Sequence, residues 1–363
     1  MEPIRISCDA WIFRYQRLGG INTYFRKLIA YTSRLGCRWT INGDHETIHP
    51  TPEFTSVKFT RNRQYGLGPK ADYQLNRARQ YIRDRCATDL YHPSYYDWIA
   101  MSDARIISKP LLVTVHDCIH ERFPEWQQKD PHCIPAKIRM LRMADQIVCI
   151  SQHTADDLVH FYPWTKDRIR VILSGTDLRP PQETAPSQLD AFLYVGTRKG
   201  YKNFDTLLDA LAQCHRLGKP LRLKVVGPEP DSTDLELVKT AGIAHAIEWL
   251  GYVSDNQLPD LYHHSIALVY PSLYEGFGLP ALDAMACGST VIAHKGSCLP
   301  EVVGDGGLLV DASDPTQIRD AMISLSESED TRSDLLNRAK QRASYLSWDA
   351  TAHHYLNTYR SLI

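Results

Sequence analysis

No stretch of this 363-residue chain approaches the ~20 consecutive apolar residues that a membrane-spanning helix needs. Neither sign of charge is in excess. Lys and Arg number 41 against 42 Asp and Glu, a formal net charge of −1, so bulk attraction to nucleic acid is not indicated. The nine cysteines form no C-x-x-C pair. Their odd number, and an N-terminus (MEPIRISCDAW) without the apolar core of a secretory leader, point to reduced thiols in a cytosolic compartment. Internal repeats and low-complexity tracts are also missing. A cytoplasmic chain remains, soluble or peripherally attached, long enough for two domains of ordinary size.

What is present is organised around Ser265–Ala293, SIALVYPSLYEGFGLPALDAMACGSTVIA. Ile266–Tyr270 is a short apolar run suited to a buried strand. The loop Glu275-Gly276-Phe277-Gly278 follows. Pro280 suits a first helical position, Ala281–Ala286 reads as helix, and Gly288 stops it. Thr290–Ala293 is the next strand. This is one strand–loop–helix–strand unit of a parallel sheet. The first N–H groups of such a helix lack internal partners and carry partial positive charge. Glu275 on the loop and Asp283, placed in the first helical turn, could both accept bonds from ligand hydroxyls. The alternative is that both acids merely complement the helix dipole. Gly276, Gly278 and Ala281 also fit the dinucleotide pattern G-x-G-x-x-G/A. That pattern wants an acid about 20 residues on. Here the next strand runs into His294-Lys295-Gly296, so a dinucleotide fold is not expected.

In the first half, Pro3–Ala10 reads as a strand, Phe13–Gly20 as a loop, and Ile21–Leu35 as a helix. Gly19-Gly20 therefore sits at a strand-to-helix junction, a potential phosphate cradle or simply a turn. Residues 36–70 are irregular and locally basic through Arg61, Arg63 and Lys70. Helix is predicted over Ala71–Asp84 and Pro135–Ala144, the latter amphipathic with Lys137, Arg139 and Arg142. Pro110–Val115 is a buried strand ending in His116-Asp117, and ligands in open α/β sheets sit beyond such carboxyl ends. His116 and His120 are four apart, a spacing a zinc pair could use. The His-Asp dipeptide also occurs in metal-dependent phosphohydrolases, but those need further ligands on helices, and this one ends a strand. No metal is expected. Ser151 is a candidate cap for a helix reaching Phe161.

Arg179–Gln188 (RPPQETAPSQ) has no apolar periodicity and reads as a linker between two domains. Strand Ala191–Val195 then leads into Gly196-Thr197-Arg198-Lys199-Gly200-Tyr201-Lys202-Asn203 and helix Phe204–Arg216. Three cations at the mouth of a sheet suit a diphosphate, or form a solvated charged loop. Further strands close at Gly227 and at Gly251-Tyr252-Val253. Glu301–Gly307 reads as a turn, and Ser347-Trp348 opens a last helix.

These motifs, in this order, resemble retaining glycosyltransferases of family 4, and the resemblance covers nearly the whole chain. Gly19-Gly20 resembles the family's Gly-Gly loop, Val115-His116-Asp117 its central histidine motif, and Ile150-Ser151 the start of its next helix. Gly196-Thr197-Arg198 with Lys202-Asn203 resembles its phosphate-binding segment. Pro271-Ser272 through Glu275-Gly276-Phe277-Gly278-Leu279-Pro280 resembles its acidic loop. Asp283 stands where the family carries a second glutamate. The resemblance implies the α/β GT-B fold: two Rossmann-like domains facing across a cleft, with a C-terminal helix crossing back to the first. The expected extents are residues 1–178 for an acceptor domain, 189–345 for a nucleotide-sugar domain and 346–363 for the crossing helix. It implies a nucleotide-sugar substrate, with neither cofactor nor metal. The sequence agrees in lacking any D-x-D, which metal-dependent transferases of the other main fold use to hold magnesium or manganese. By resemblance, His116, Arg198, Lys202 and Glu275 are the catalytic residues. Gly19, Gly20, Gly251, Tyr252, Val253, Gly276, Phe277, Gly278, Leu279 and Asp283 would bind the donor.

The segment Gly196–Asn203 looks most like bacterial polysaccharide mannosyltransferases, which implies GDP-mannose. UDP- and dTDP-sugars stay open as donors. So do a nucleotide-dependent dehydrogenase and a non-catalytic nucleotide-sugar-binding module. The expected partners are the donor and a glycan or lipid-linked acceptor, with no nucleic acid. The basic patches Arg61–Lys70 and Lys137–Arg142 would suit peripheral contact with an anionic membrane.

Overall fold

A computed structural model describes residues 2–15, 19–42, 57–60, 66–68, 71, 75, 88–96, 109–181 and 189–363. The chain forms two compact units: Met1–Ser174 together with Trp348–Ile363, and Gly175–Ser347. The division at Gly175 falls just ahead of the Pro-rich stretch Arg179–Gln188, of which residues 182–188 lie outside the described ones.

In the first unit the described elements run β1 (Arg5–Asp9), α1 (Trp11–Tyr15), α2 (Gly20–Arg34), β2 (Arg38–Asn42), β3 (Lys58–Thr60), β4 (Leu90–Tyr91) and β5 (Leu112–Val115). Three short helices follow, α3 (Ile119–Arg122), α4 (Pro124–Lys129) and α5 (Cys133–Met143), then β6 (Gln146–Cys149), α6 (Gln152–Phe161) and β7 (Ile169–Val171). All strand pairs are parallel. The order β3-β2-β1-β4 continues through a Tyr91–Leu111 bridge into β5-β6-β7. All four residues of β5 are buried, as expected where helices cover both faces of a parallel sheet. The side chain of Ser151 accepts the N–H of Thr154 at 3.0 Å and caps α6, as its sequence position predicts.

The second unit runs β8 (Phe192–Val195), α7 (Phe204–Arg216), β9 (Leu223–Val226), α8 (Ser232–Thr240), β10 (Ile247–Gly251), α9 (Leu258–His263) and β11 (Leu268–Tyr270). It continues with α10 (Leu279–Ala286), β12 (Val291–His294), α11 (Leu299–Val303), β13 (Gly307–Val310), α12 (Pro315–Glu327) and α13 (Glu329–Tyr345). The sheet order is β10-β9-β8-β11-β12-β13, again all parallel. Counted from β8 as first, this is 3-2-1-4-5-6, the dinucleotide-fold order with its reversal between β8 and β11.

The last helix, α14 (Trp348–Leu362), belongs to the first unit. Its Tyr355 hydroxyl meets those of Tyr24 at 2.7 Å and Thr114 at 2.9 Å, and its Tyr359 hydroxyl meets His92 Nδ1 at 2.9 Å. His92 Nε2 closes the network on Thr114 at 2.9 Å. These groups are buried, and each hydroxyl or ring nitrogen finds a partner there.

Several local expectations are corrected. The loop predicted from Phe13 opens as helix through Tyr15, and the turn predicted from Glu301 is instead α11. β2 lies in the stretch read as irregular, and α8 was not anticipated. Arg61, Arg63, Lys70 and most of the predicted helix Ala71–Asp84 lie outside the described residues.

Candidate functional site

In an open α/β sheet, ligands bind beyond the strand ends where the strand order reverses. In the second unit that point lies between β8 and β11. β8 leads into the cationic loop Gly196–Asn203, and β11 leads into Pro271–Gly278. The two loops are tied together: Leu273 N–H donates to the Tyr201 carbonyl at 2.8 Å, and Asn203 Nδ2 donates to the Pro271 carbonyl at 3.2 Å. Across this joint Lys202 Nζ donates to Glu275 Oε1 at 2.6 Å. The Tyr270 hydroxyl donates to the same oxygen at 2.7 Å. Lys202 Nζ also stands 5.1 Å from the Tyr201 ring centre and 5.8 Å from that of Tyr270. Side-chain exposure is 15% for Lys202 and 10% for Glu275, so the pair is mostly removed from water yet still reachable. A charge pair in that setting acts strongly on a charged or polar ligand.

Glu275 is held from behind by a residue the sequence did not single out. Ser297 Oγ accepts the Glu275 N–H and donates to the Glu275 carbonyl, both at 2.9 Å. Ser297 adopts φ of +59°, a left-handed conformation uncommon outside glycine. Nothing in Lys295-Gly296-Ser297 announces this, because the partner is 22 residues earlier in the chain.

Around the acidic loop, Gly276 is half-buried, Phe277 is buried, and Gly278 begins α10 at φ +87°. A Cβ on Gly278 would stand 2.7 Å from a Leu299 methyl, so both conformation and space call for glycine. Leu279 is the first helical residue. Asp283 is therefore not in the first turn, as expected, but one turn further along. There it accepts the Thr176 hydroxyl at 2.6 Å. Gly251 ends β10, two strands from the reversal, and Tyr252 and Val253 follow it. Gly251 has φ +63° and accepts the Gly227 N–H at 3.0 Å, and the Tyr252 side chain is exposed.

Arg198 requires a correction. It was expected to face an anionic ligand, but its guanidinium is buried inside the unit. Nε and one terminal nitrogen donate to Asp234 Oδ2 at 2.9 and 2.8 Å, and the two terminal nitrogens reach the carbonyls of Pro228 at 2.7 Å and Glu229 at 2.9 Å. Four of its five donors are thereby engaged. It ties the loop after β8 to the loop after β9 and to α8, whose Asp231–Asp234 capping box Asp234 also completes. Of the two catalytic cations expected in this unit, Lys202 is the one in contact with Glu275.

In the first unit, α2 starts at Gly20, where no side-chain cap is formed and a Cβ would meet nothing within 4 Å. The next turn of α2 carries Tyr24 and Phe25, whose rings stand edge-on to His116 at 4.9 and 5.9 Å. His116 is buried, and among the described residues its Nε2 has no hydrogen-bond partner. Burial, reinforced by the Lys137 cation, pushes this imidazole down to about 3. Burial, with His116 as a lesser cause, does the same for His92, also to about 3. Both rings are therefore neutral donors or acceptors at ordinary pH.

A stability prediction follows. Folded His92 and His116 resist protons that the unfolded chain takes up below about pH 6.5. Between about 6.5 and 3 the unfolded state binds more protons, so stability falls as pH drops through that window. The urea midpoint should be lower at pH 5 than at pH 7; an equal midpoint would count against neutral burial.

Lys137 also departs from expectation. It was placed in a basic surface patch, but it is buried, with Nζ at 2.8 and 2.9 Å from the two oxygens of Glu121 and 3.0 Å from the Asp117 carbonyl. Of the three basic residues on α5, Arg139 and Arg142 are exposed. Among the described residues no helix is long and apolar enough to cross a membrane. The eight described cysteines are all buried.

As to metals, the Lys202–Glu275 site holds no group of three ligand-type side chains among the described residues, and the one such group is His120, Asp130 and Cys133. The sequence also contains His45-Glu46-Thr47-Ile48-His49, an H-E-x-x-H spacing that the metal-free expectation passes over. It lies outside the described residues.

Comparison with known proteins agrees with this architecture. A family model described as glycosyl transferases group 1 matches residues 176–342, and one described as glycosyltransferase family 4 matches residues 18–179. O-antigen chain mannosyltransferase B of Escherichia coli is 32% identical over 267 residues, covering 69% of this chain and 70% of that one. D-inositol 3-phosphate glycosyltransferase of Frankia alni is 34% identical over 233 residues, covering 57% of each. Among solved structures, sucrose-phosphate synthase from Thermosynechococcus elongatus matches 99% of each chain with a TM-score of 0.79 at 22% identity, a likeness of fold. Paired parallel sheets of the GT-B type, family models matching a long segment of each unit and a relative at that identity lead to one assignment: the chain is an enzyme of glycosyltransferase family 4.

Proposed function

We propose that this glycosyltransferase moves mannose from GDP-mannose to a hydroxyl of a glycan or lipid-linked acceptor in polysaccharide biosynthesis, with retention at the anomeric carbon and without a metal. The observation that carries the reading is the Lys202–Glu275 contact at the strand reversal of the second sheet. As the sugar–phosphate bond breaks, negative charge grows on the departing diphosphate. The Lys202 ammonium has donors left beyond the one given to Glu275 and would stabilise that charge. Glu275, fixed by Ser297 and Tyr270, would accept the sugar's hydroxyls. The N–H groups after Phe277 would steady them. His116 keeps the role of touching the donor sugar, which its unpartnered Nε2 supports. Arg198 leaves direct contact with the donor and becomes a strut for the loop that carries Lys202. The lack of any D-x-D supports a lysine in place of a divalent ion. The Escherichia coli relative's name supports mannose and a polysaccharide acceptor.

The test is a thermal-shift screen against GDP, UDP and dTDP and their sugars, followed by transfer assays. GDP and GDP-mannose should raise the melting temperature most, since a ligand that binds only the folded state stabilises it. A shift with UDP- or dTDP-sugars alone would replace the donor. Binding without transfer to any acceptor and without slow donor hydrolysis would leave a non-catalytic module.

A further inference from the structure

α3 and α4 contribute no buried residue of their own, so apolar packing alone holds them weakly. They are short helices, and each presents a side chain to one point. His120 comes from α3, Asp130 caps the C-terminal end of α4, and Cys133 is the first residue of α5. The potential ligand atoms of these three all lie within 4.8 Å of one another. Cys133 Sγ is 3.4 Å from His120 Nδ1. Around a tetrahedral zinc ion, with metal–sulfur near 2.3 Å and metal–nitrogen near 2.0 Å, sulfur and nitrogen stand about 3.5 Å apart. The observed spacing is already that of a bound pair.

The surroundings hold the three groups in place. The Asp130 carbonyl accepts the Cys133 N–H, and Asp130 Oδ1 accepts the His132 N–H, each at 3.3 Å, which folds the D-x-x-C segment back on itself. The second carboxylate oxygen is the one left for a ligand. The Tyr95 hydroxyl is 3.7 Å from Cys133 Sγ, in the place of an outer-sphere donor to a coordinated sulfur. Cys133 is buried, while His120 and Asp130 are half-buried, so an ion would keep one side open to water.

We propose that His120, Asp130 and Cys133 bind one divalent ion of the zinc type, with water as fourth ligand, which staples α3, α4 and α5 together. The mixed sulfur, nitrogen and oxygen set selects zinc over magnesium or calcium, which want oxygen alone. On binding, the thiol releases its proton to solvent and the sulfur–metal bond forms, with no change of oxidation state. The role is structural: His120 lies four residues beyond His116, on the helix that follows its strand, while Lys202 and Glu275 belong to the second unit.

The test uses the full-length protein, stripped with a chelator and titrated with cobalt(II) as a spectroscopic substitute. One equivalent should produce a thiolate-to-cobalt charge-transfer band with the visible bands of a four-coordinate ion, and one equivalent of zinc should bleach both. Cys133→Ser should remove the charge-transfer band. Asp130→Asn, at a half-buried position, should keep the band and weaken binding by roughly tenfold or more. Zinc should raise the melting temperature of the wild type and do so less in Asp130→Asn, a readout that does not depend on whether Cys133→Ser folds. No charge-transfer band in the wild type, a band that survives Cys133→Ser, or an equal zinc-induced rise in Asp130→Asn would overturn the proposal. Cobalt bound with nitrogen-only character would assign the metal to histidines elsewhere in the chain, and equally overturn it.

Discussion

Glu275→Gln should lower turnover by roughly a hundredfold or more while the protein stays folded; loss of one preorganised polar contact in a catalytic site commonly has that size. Glutamine keeps the shape of Glu275 and an oxygen that can accept from Tyr270 and Lys202. It removes the negative charge that orients the Lys202 ammonium. Glu275→Ala should lose at least as much turnover and also leave a buried tyrosine hydroxyl without its acceptor. Comparing the two separates charge from packing. Lys202→Met should fall to a similar extent, and the double variant should fall by much less than the product of the two losses, because the side chains work as one unit. Near-normal transfer by Glu275→Gln, with the wild-type melting temperature, would remove the acid from the mechanism proposed above.

The second large effect concerns stability. Arg198→Met should destabilise the second unit by about 3 kcal/mol or more, because it leaves Asp234 buried without its cation. The carbonyls of Pro228 and Glu229 would lose their donor as well. Nucleotide affinity measured on the remaining folded protein, at low temperature, should stay within a few fold of wild type. A residue in direct contact with a diphosphate would behave oppositely, with affinity collapsing and stability barely moving. Urea denaturation and calorimetry on the same sample decide between the two.

Much of the second unit was readable because its strands are compact apolar runs, three of them (β8, β9 and β10) closing at Gly196, Gly227 and Gly251, and α7 has an unbroken helical stripe from Phe204 to Cys214. α8 was not, because Asp234 and Val238 are the only residues it buries. Its Asp231-x-x-Asp234 capping box was the available signal. The burial of Lys137 was legible in its helical spacing. Cys133, Lys137, Met140 and Leu141 share one helical face, and all four are buried. That face, rather than the count of basic residues, told where Lys137 points. Arg198 could not be assigned from sequence at all. Its charge suits an anion, but the anion turned out to be Asp234, 36 residues further on, and only the tertiary fold brings the two together. For the same reason the Lys202–Glu275 contact, spanning 73 residues, and the Ser297 support behind it appear only in the structure.

The discontinuity of the first unit has a consequence for biogenesis. Trp348, Tyr355 and Tyr359 fill its interior, yet they are translated after the whole of the second unit. On the ribosome, residues Gly175–Ser347 can complete their own sheet while the earlier-made segment still waits for its final helix, leaving Tyr24 and His92 without the hydroxyls that satisfy them. A nascent chain stalled before Trp348 should therefore carry one finished lobe and one protease-sensitive lobe, and the lobe synthesised first should be the last to mature.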